Sequence, residues 1–581
     1  MTPARWHVND PNPDLQHSLA TVTNLPPLLC QLLINRGITN ADAAEAFLSP
    51  SLHDLLDPFL LHGMERAVQR LLTALQHNES IAIYGDYDVD GATATSLLVM
   101  FFRELGMAVP YHIPERSGEG YGLHATAIEQ LAKRGIRVLL TVDCGVTAVD
   151  EVALARRLGI DVIITDHHLP PDGVLPDAWA LLNPHQPACS YPNKGLCGVG
   201  VAFKLITALR AALRQANWVK HPLPNLKRHL DLVALGTIAD VTSLQGENRI
   251  LVYHGLQELS QTRKPGLQAL RRISQREGKP ATAGEVGFQL APRLNASGRL
   301  ASALESVALL TAVDPIEADR LAQSLDSINQ QRRALQQSIE TTVHEQIARY
   351  YDGRPPAAIV LGAPDWHHGV VGIVAARVAE TYHRPTFLLQ IEGDTARGSG
   401  RSIPNFDLYQ GLQHCARWLK RFGGHKYAAG LSMDVAHLPD LQEAFIRFAE
   451  DTLSPEDLRP ILRLDATVTL SELSLDLIEQ LANLAPHGPG NPTPTFCAPG
   501  VQIVASPRQL GQHGQHVRFQ AVQHGAIRDV IAFNMADQVL PLADAPAVDL
   551  AFAPAINTWQ GRYEVELQLR AIRPTSSSEA V

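Results

Sequence analysis

The order of apolar and polar positions changes character several times along the chain. Residues 1 to about 75 hold short apolar segments cut by Pro11, Pro13, Pro26, Pro27, Pro50 and Pro58, which predicts small helices leading into the first domain. From Ser80, short apolar runs alternate with helix-like stretches. The runs at Ile81 to Tyr84, Val109 to Ile113, Arg137 to Val142, Asp161 to Thr165 and Trp179 to Leu182 start about 20 to 30 residues apart, the length of a strand plus a crossover helix. This predicts successive βα units in a mainly parallel sheet. Between Pro315 and Tyr350 there is no internal Pro or Gly, and Leu321, Leu325, Ile328, Leu335, Ile339, Val343 and Ile347 recur at helical spacing. The segment predicts a helix of roughly 50 Å that connects two bodies. After the breaker Gly353-Arg354-Pro355-Pro356, Ala357 to Leu361 reads as a strand opening a second α/β unit that runs to about Leu453. Beyond Ile461, and past the Pro/Gly-rich stretch from Pro486 to Gly500, short strands are expected at Val501 to Val504, His516 to Val522, Asp529 to Phe533 and Arg562 to Leu569. They suit a small β-barrel, with a sandwich as the alternative.

Composition narrows the class. The 581 residues allow three or four domains, and 45% hydrophobic with 19% charged residues is ordinary for a globular protein, which excludes disorder, collagen and coiled-coil rod as whole-chain descriptions. The formal charge of -10 argues against binding nucleic acid by being basic all over. A polyanionic partner therefore requires a local basic surface. The six cysteines form no C-x-x-C pair, so neither a zinc ribbon nor a disulfide framework is indicated. No apolar run reaches the roughly 18 residues of a membrane span, and Met1 to Asp10 is polar, so a soluble cytoplasmic protein is expected.

Four clusters carry chemistry. The first is Asp86-Tyr87-Asp88-Val89-Asp90-Gly91, directly after a predicted strand: three carboxylates in five residues repel one another unless a cation sits among them. An EF-hand loop also opens this way, but its twelfth position here is Leu97 rather than Glu, and a strand precedes the motif. The second is Asp143 in Thr141-Val142-Asp143-Cys144-Gly145, and the third is Thr165-Asp166-His167-His168, each at a strand end. The fourth is Asp240, closing the helix-like Leu235-Gly236-Thr237-Ile238-Ala239. Ligands of open parallel sheets bind outside the carboxyl ends of the strands, so three of the four clusters point to one crevice. Carboxylates with one or two imidazoles suit Mn²⁺ or Mg²⁺ better than structural zinc. The ligands suffice for two ions sharing a bridging Asp, about 3.5 to 4 Å apart, an arrangement that favours phosphoester hydrolysis.

The ordered set DYDVDG, VDCG, TDHH and LGTIAD resembles the four motifs of the DHH phosphoesterase superfamily. Downstream, APRLNASGR (Ala291 to Arg299), ARGSGRS (Ala396 to Ser402) and GGHKYAAG (Gly423 to Gly430) are similar to its RecJ branch. The resemblance covers residues 60 to 575. It implies a parallel-sheet DHH domain (61–314) after an N-terminal helical lead-in (1–60), joined by a long helix (315–352) to a smaller α/β DHH-associated domain (353–455). An OB-fold β-barrel (456–575) and a disordered tail (576–581) complete the expected organisation. The implied activity is single-strand-specific 5′ to 3′ DNA exonuclease action with two Mn²⁺ or Mg²⁺ ions, releasing 5′ mononucleotides in recombination and repair. Asp86, Asp88, Asp90, Asp143, His167 and Asp240 are the implied metal ligands, with Asp143 the bridge and Asp166 and His168 as orienting or phosphate-meeting groups. Many relatives have a His where this chain has Tyr84, a poor metal ligand, which leaves the first ion's shell to Asp86 or water.

Local charge supports such a substrate. Gly393 to Gly430 carries six Arg or Lys against two Asp, a net of +4 hidden in the acidic total. Arg397, Ser399, Arg401, Gly424 and His425 are the expected phosphate contacts of this stretch, glycines permitting close approach and arginines gripping oxygens as a fork. Arg293, Asn295 and Arg299 are expected at a terminal phosphate, with local capping an equal alternative. Gly198-Val199-Gly200 opens a helix that could receive a phosphate. Arg508, Arg518, Phe519, Phe533, Trp559 and Arg562 are residue types by which OB-folds bind single strands. A single-strand-binding protein and a RecQ-type helicase are the expected partners, and a monomer is expected because an enclosed strand channel does not require a dimer. Two other readings remain at this stage: a phosphodiesterase for oligoribonucleotides or cyclic dinucleotides, and a non-catalytic strand-binding scaffold.

Overall fold

The computed structural model describes residues 4–115, 120–171, 173–504, 506–558 and 561–575; Trp559 and the tail 576–581 lie outside them. The chain divides into two compact bodies, one built from 6–291, 310–313 and 463–581, the other chiefly from 292–309 and 314–462.

The first body opens on a five-stranded sheet of β1 (Ile81–Tyr84), β2 (Tyr111–His112), β3 (Val138–Val142), β4 (Asp161–Thr165) and β5 (Ala180–Leu182), in the order β2-β1-β3-β4-β5. All its neighbours are parallel. Every residue of β1 and β3 is buried, as sheets covered on both faces require. The expected strand Val109 to Ile113 shrinks to two residues because it is the edge and Pro110 has no N–H to donate. Three helices carry the first body's remaining chemistry: α1 (Val89–Glu104), α2 (Gly198–Gln215) and α3 (Leu230–Ala239). Helix α3 is buried from Leu230 to Thr237, and Gly236 lets it lie against α1, since a Cβ there would sit 2.3 Å from Thr93 Oγ1.

The second body contains α4 (Pro315–Tyr351), which begins where the chain leaves the first body and lies wholly within the second. Its 37 residues make a rod of about 55 Å. Ile339, Val343 and Ile347 pack with α5 (His368–Tyr382) on one face of a sheet formed by β6 (Ile359–Ala363), β7 (Thr386–Glu392), β8 (Thr395–Arg401), β9 (Leu419–Gly424) and β10 (Ala428–Asp434). The order is β9-β10-β8-β7-β6, with only β6 and β7 parallel. The opposite face is a core around Phe387, Leu389, Phe406 and Phe445.

The first body ends in β11 (Ala466–Thr467), β12 (Phe496–Ile503), β13 (Arg508–Leu510), β14 (His516–Gln523), β15 (Ala526–Ala532), β16 (Val548–Asn557) and β17 (Glu564–Pro574). The order β12-β16-β17-β15-β14 closes through a β14–β12 pairing into a five-stranded barrel, which settles barrel over sandwich. Its core continues into the N-terminal helices: Leu19, Leu29, Leu32, Leu33 and Phe47 pack in one cluster with Phe496, Phe519, Leu550 and Leu567. The helices expected to lead into the first domain thus cap the barrel, a long-range contact that local pattern does not encode.

Candidate metal centre and strand-binding face

The centre is assembled at the carboxyl ends of β1, β3 and β4, which are adjacent in the sheet. After β1 the chain turns through Asp86 to Asp88, whose Oδ1 caps α1 by accepting the N–H groups of Asp90 (2.9 Å) and Gly91 (3.1 Å). Gly91 is required by the closeness of that turn, because a Cβ there would lie 2.6 Å from the Asp86 carbonyl oxygen. After β3, Asp143 sits in the left-handed region at φ 61°, a conformation costing a residue with a side chain about 1–3 kcal/mol, and its N–H bonds Thr165 O at 2.9 Å. After β4, Asp166 is fully buried. Its Oδ1 accepts from the N–H groups of His167 (2.8 Å) and His168 (3.1 Å) and pairs with His168 Nδ1 (2.8 Å), while Oδ2 accepts from Val146 N–H (2.9 Å). Asp240 follows the last turn of α3.

These residues meet. Asp86, Asp88 and Asp143 form one group, Asp90, His167 and Asp240 a second, and Asp143, His167 and His168 a third, each offering ligand atoms within 4.8 Å of one another. His167 Nε2 lies 3.0 Å from Asp143 Oδ1 and 3.7 Å from Asp90 Oδ2, and its Nδ1 is 3.8 Å from Asp240 Oδ2. Asp143 belongs to two groups, is 2% exposed, and its Oδ1 accepts no hydrogen bond of ordinary geometry. A buried carboxylate oxygen that faces two imidazole nitrogens among other carboxylates fits a cation.

The electrostatics agree. Burial, then the neighbouring Asp88, pushes Asp90 up to about 7; burial, then Asp90, pushes Asp240 up to about 8; burial and four surrounding carboxylates raise Asp143 well above its ordinary range. Burial and the neighbouring His168 hold His167 down to about 4, the neutral form that can ligate a metal. Burial opposes charge on His168 as well, but its bond to Asp166 carries it up to about 9. Divalent cations would relieve the repulsion among Asp90, Asp143 and Asp240.

Two sequence expectations are corrected here. The N-terminus of α2 holds no free phosphate cradle, because the N–H groups of Gly198 (2.5 Å) and Val199 (2.8 Å) are taken by the two oxygens of Asp90. Gly198 also makes room for Asp143, whose Cβ would be 2.7 Å from an added Cβ. In the barrel, Phe519 is a core residue at 3% exposure and Arg518 is paired with Asp529 (3.0 Å) and Glu566 (3.2 Å). Phe519 thus offers no surface to a strand, whereas Arg518 is exposed in its ion pairs and Phe533 is exposed against His516. Tyr84 is buried, donates its hydroxyl to Gly122 O (3.1 Å) and packs on His112. Sequence reasoning missed Tyr121, whose hydroxyl lies 3.0 Å from His168 Nδ1 and 3.3 Å from Asp143 O; its setting between Gly120 and Gly122 was the only signal.

In the second body, Arg397, Ser399 and Arg401 alternate along β8 with buried Ala396, Gly398 and Gly400. The register places Ser399 beside Gly430 and Gly423, and Arg397 beside Ser432 and Arg421, so a low strip of Ser and Gly runs next to arginines. Arg401 bonds Ser399 Oγ (3.1 Å) and Gly400 O (2.7 Å). Gly424, at φ 138°, turns tightly into exposed His425, where a Cβ would meet Ala428 O at 2.4 Å. Arg293 is tied to Asp326 (2.8 Å) and Arg299 donates to Gly369 O (3.1 Å), while Asn295 is half-buried.

A parallel sheet with acidic and His clusters at three adjacent strand ends, followed by a mixed-sheet body, defines a DHH-type protein. Residues 80–237 match the DHH family, N-terminal domain, 356–451 the DHHA1 domain and 464–571 the RecJ OB domain. The chain is 38% identical over 565 residues to the single-stranded-DNA-specific exonuclease RecJ of Dickeya dadantii, covering 95% of this chain and 96% of the relative. It is 37% identical over 563 residues to the RecJ of Escherichia coli, at 95% and 96% coverage. The crystal structure of RecJ in complex with Mn²⁺ from Thermus thermophilus superposes with a TM-score of 0.83 at 31% identity, covering 99% of this chain and 80% of that one. The chain belongs to the RecJ family. No helix among its described residues is long and apolar enough to cross a membrane.

Proposed function

We propose that this protein hydrolyses single-stranded DNA from the 5′ end, releasing 5′ mononucleotides with the help of two Mn²⁺ or Mg²⁺ ions. The observation that carries the reading is the convergence of three ligand groups on Asp143 and His167, in a chain matched along nearly its whole length by exonucleases of this specificity. Asp86, Asp88 and Asp143 would hold one ion, and Asp90, His167 and Asp240 a second. Bound there, the ions supply Lewis-acid activation of a water and neutralise charge on the scissile phosphate. Asp166 fixes the two-histidine turn and keeps His168 protonated through Nδ1, so that Nε2 is a cationic donor for a phosphate oxygen. Asp90 is itself held by the start of α2, which orients one of its oxygens towards His167.

The strip on β8 to β10 binds the strand's phosphates through Arg397, Ser399, Arg401, Gly424 and His425, and Arg293, Asn295 and Arg299 recognise its terminal phosphate. The functional division is a catalytic unit over 61–314, a strand-binding unit over 353–455 and an OB-fold over 456–575. The protein works in the cytoplasm as a monomer, in repair and recombination, where a RecQ-type helicase supplies single strands and a single-strand-binding protein presents them. The test is Asp143→Ala assayed on a labelled single strand with Mn²⁺. Hydrolysis should fall by more than about 100-fold, beyond what loss of an outer-sphere partner costs; undiminished hydrolysis contradicts the metal assignment.

A further inference from the structure

An exposed aromatic side chain stands on a turn that packs against the end of α3 and has no role in the assignments above. Phe288 is 86% exposed, the most exposed aromatic among the described residues. Single exposed apolar residues are common and need no explanation, but this one is built into an uncommon element. Val286–Leu290 is a π-helical turn, a rare distortion that is frequent at functional sites. The turn is anchored by Val286 and Leu290, both fully buried, while Phe288 between them faces solvent.

The position of that turn connects it with the centre. A Cβ on Gly287 would lie 3.8 Å from Cγ2 of Ile238, in the last turn of α3 and two residues before Asp240. On the other side of Asp240 stands Val241, at φ 58° and 66% exposed. A β-branched residue in the left-handed region is a true outlier, and the position just past a helix end is one that glycine ordinarily takes. The turn that carries Phe288 thus packs against the end of α3, where exposed Val241 directly follows a carboxylate of the metal-binding group. Cations ligated by carboxylates can hold a phosphodiester but offer nothing to the bases. An exposed ring can, because every base has a π-face, and stacking is indifferent to sequence.

We infer that Phe288, supported by Val241, is a nucleobase-stacking site that takes one base of the strand held at the metal centre. It rests on the single-stranded-DNA reading and adds to it a contact that grips bases without reading them. Removing the ring should weaken strand binding by roughly 5- to 150-fold, the range one base–aromatic stack is worth. Because Phe288 is exposed, Phe288→Ala should fold normally.

The experiment uses the full-length protein with all metal ligands intact, with Ca²⁺ in place of Mn²⁺ to hold the strand without cleavage, and single-stranded oligonucleotides bearing 2-aminopurine at each of the first six positions from the 5′ end in turn. Stacking predicts quenching of the fluorophore at one position, loss of that quenching with weaker binding in Phe288→Ala, and recovery of both in Phe288→Trp. Binding and quenching profiles that are the same with and without the ring overturn this inference while leaving the DNA reading intact. Failure of the strand to bind either protein overturns both.

Discussion

Asp143 concentrates the chemistry of the centre in one residue. It is buried, held in the left-handed region, and shared by two ligand groups. Metal-free, it and its neighbours hold protons that the unfolded chain would release. Asp90 and Asp240, ordinarily titrating near 3.8, are pushed up to about 7 by burial and Asp88 and to about 8 by burial and Asp90. Between these limits the folded state binds more protons than the unfolded state, so its stability falls as pH rises. His168, carried up to about 9, acts in the same direction from 6.5 upward, whereas His167, held down to about 4, costs stability as pH falls below 6.5. The carboxylates outnumber the one opposing imidazole. The rise in melting temperature on adding Mn²⁺ should therefore be larger at pH 8 than at pH 5.5, as scanning calorimetry in chelator and in metal would measure. An equal rise at both would contradict the crowded-carboxylate account. Every acidic and His residue of the centre was legible as a residue type at a strand or helix end. The left-handed Asp143 and the capture of Asp90 by α2 were not, because both depend on backbone brought together from distant segments.

At the scale of elements, glycines decide how closely the carboxylates approach. The sequence LGTIAD attracts attention for its Asp, yet Gly236 is what brings α3 against α1 and so Asp240 towards Asp90. Gly236→Ala would place a Cβ 2.3 Å from Thr93 Oγ1 and 2.6 Å from Val199 Cγ1. It should lower stability by about 1–3 kcal/mol through overpacking, read by urea denaturation, and reduce hydrolysis as the ligands separate. Wild-type stability in this variant would show that α3 has room the packing denies. The parallel strands were readable because strands buried on both faces are continuous apolar runs, as Val138–Val142 is. The barrel was less so: Val548–Asn557 and Arg508–Leu510 were not anticipated, the first because its ten residues are buried or half-buried without alternation and contain Pro554, the second because three residues carry no periodic signal. The long helix was plain from spacing, but its packing by Ile339, Val343 and Ile347 into the second body is tertiary.

At the scale of the molecule, a chain of formal charge -10 has to bind a polyanion by local means. Asp86, Asp88, Asp90, Asp143 and Asp240 account for half of that excess and are the groups two divalent ions would offset. The arginines of β8 supply a cationic strip elsewhere in the chain. Strand binding should accordingly depend on salt, each phosphate contact adding roughly 0.7 to the logarithmic slope, and Arg397→Ala with Arg401→Ala should flatten it by about 1 to 1.5 in anisotropy titrations. An unchanged slope would remove these arginines from the interface. The most direct test of the account as a whole is digestion of matched 5′-labelled and 3′-labelled oligonucleotides, as single strands and as duplexes, in DNA and in RNA, with Mn²⁺ or Mg²⁺. The account predicts that single-stranded DNA alone is consumed rapidly, with the 5′ label released at once as a mononucleotide and the 3′ label shortening progressively. Equal attack on duplex, immediate release of the 3′ label, or a preference for dinucleotides would contradict it.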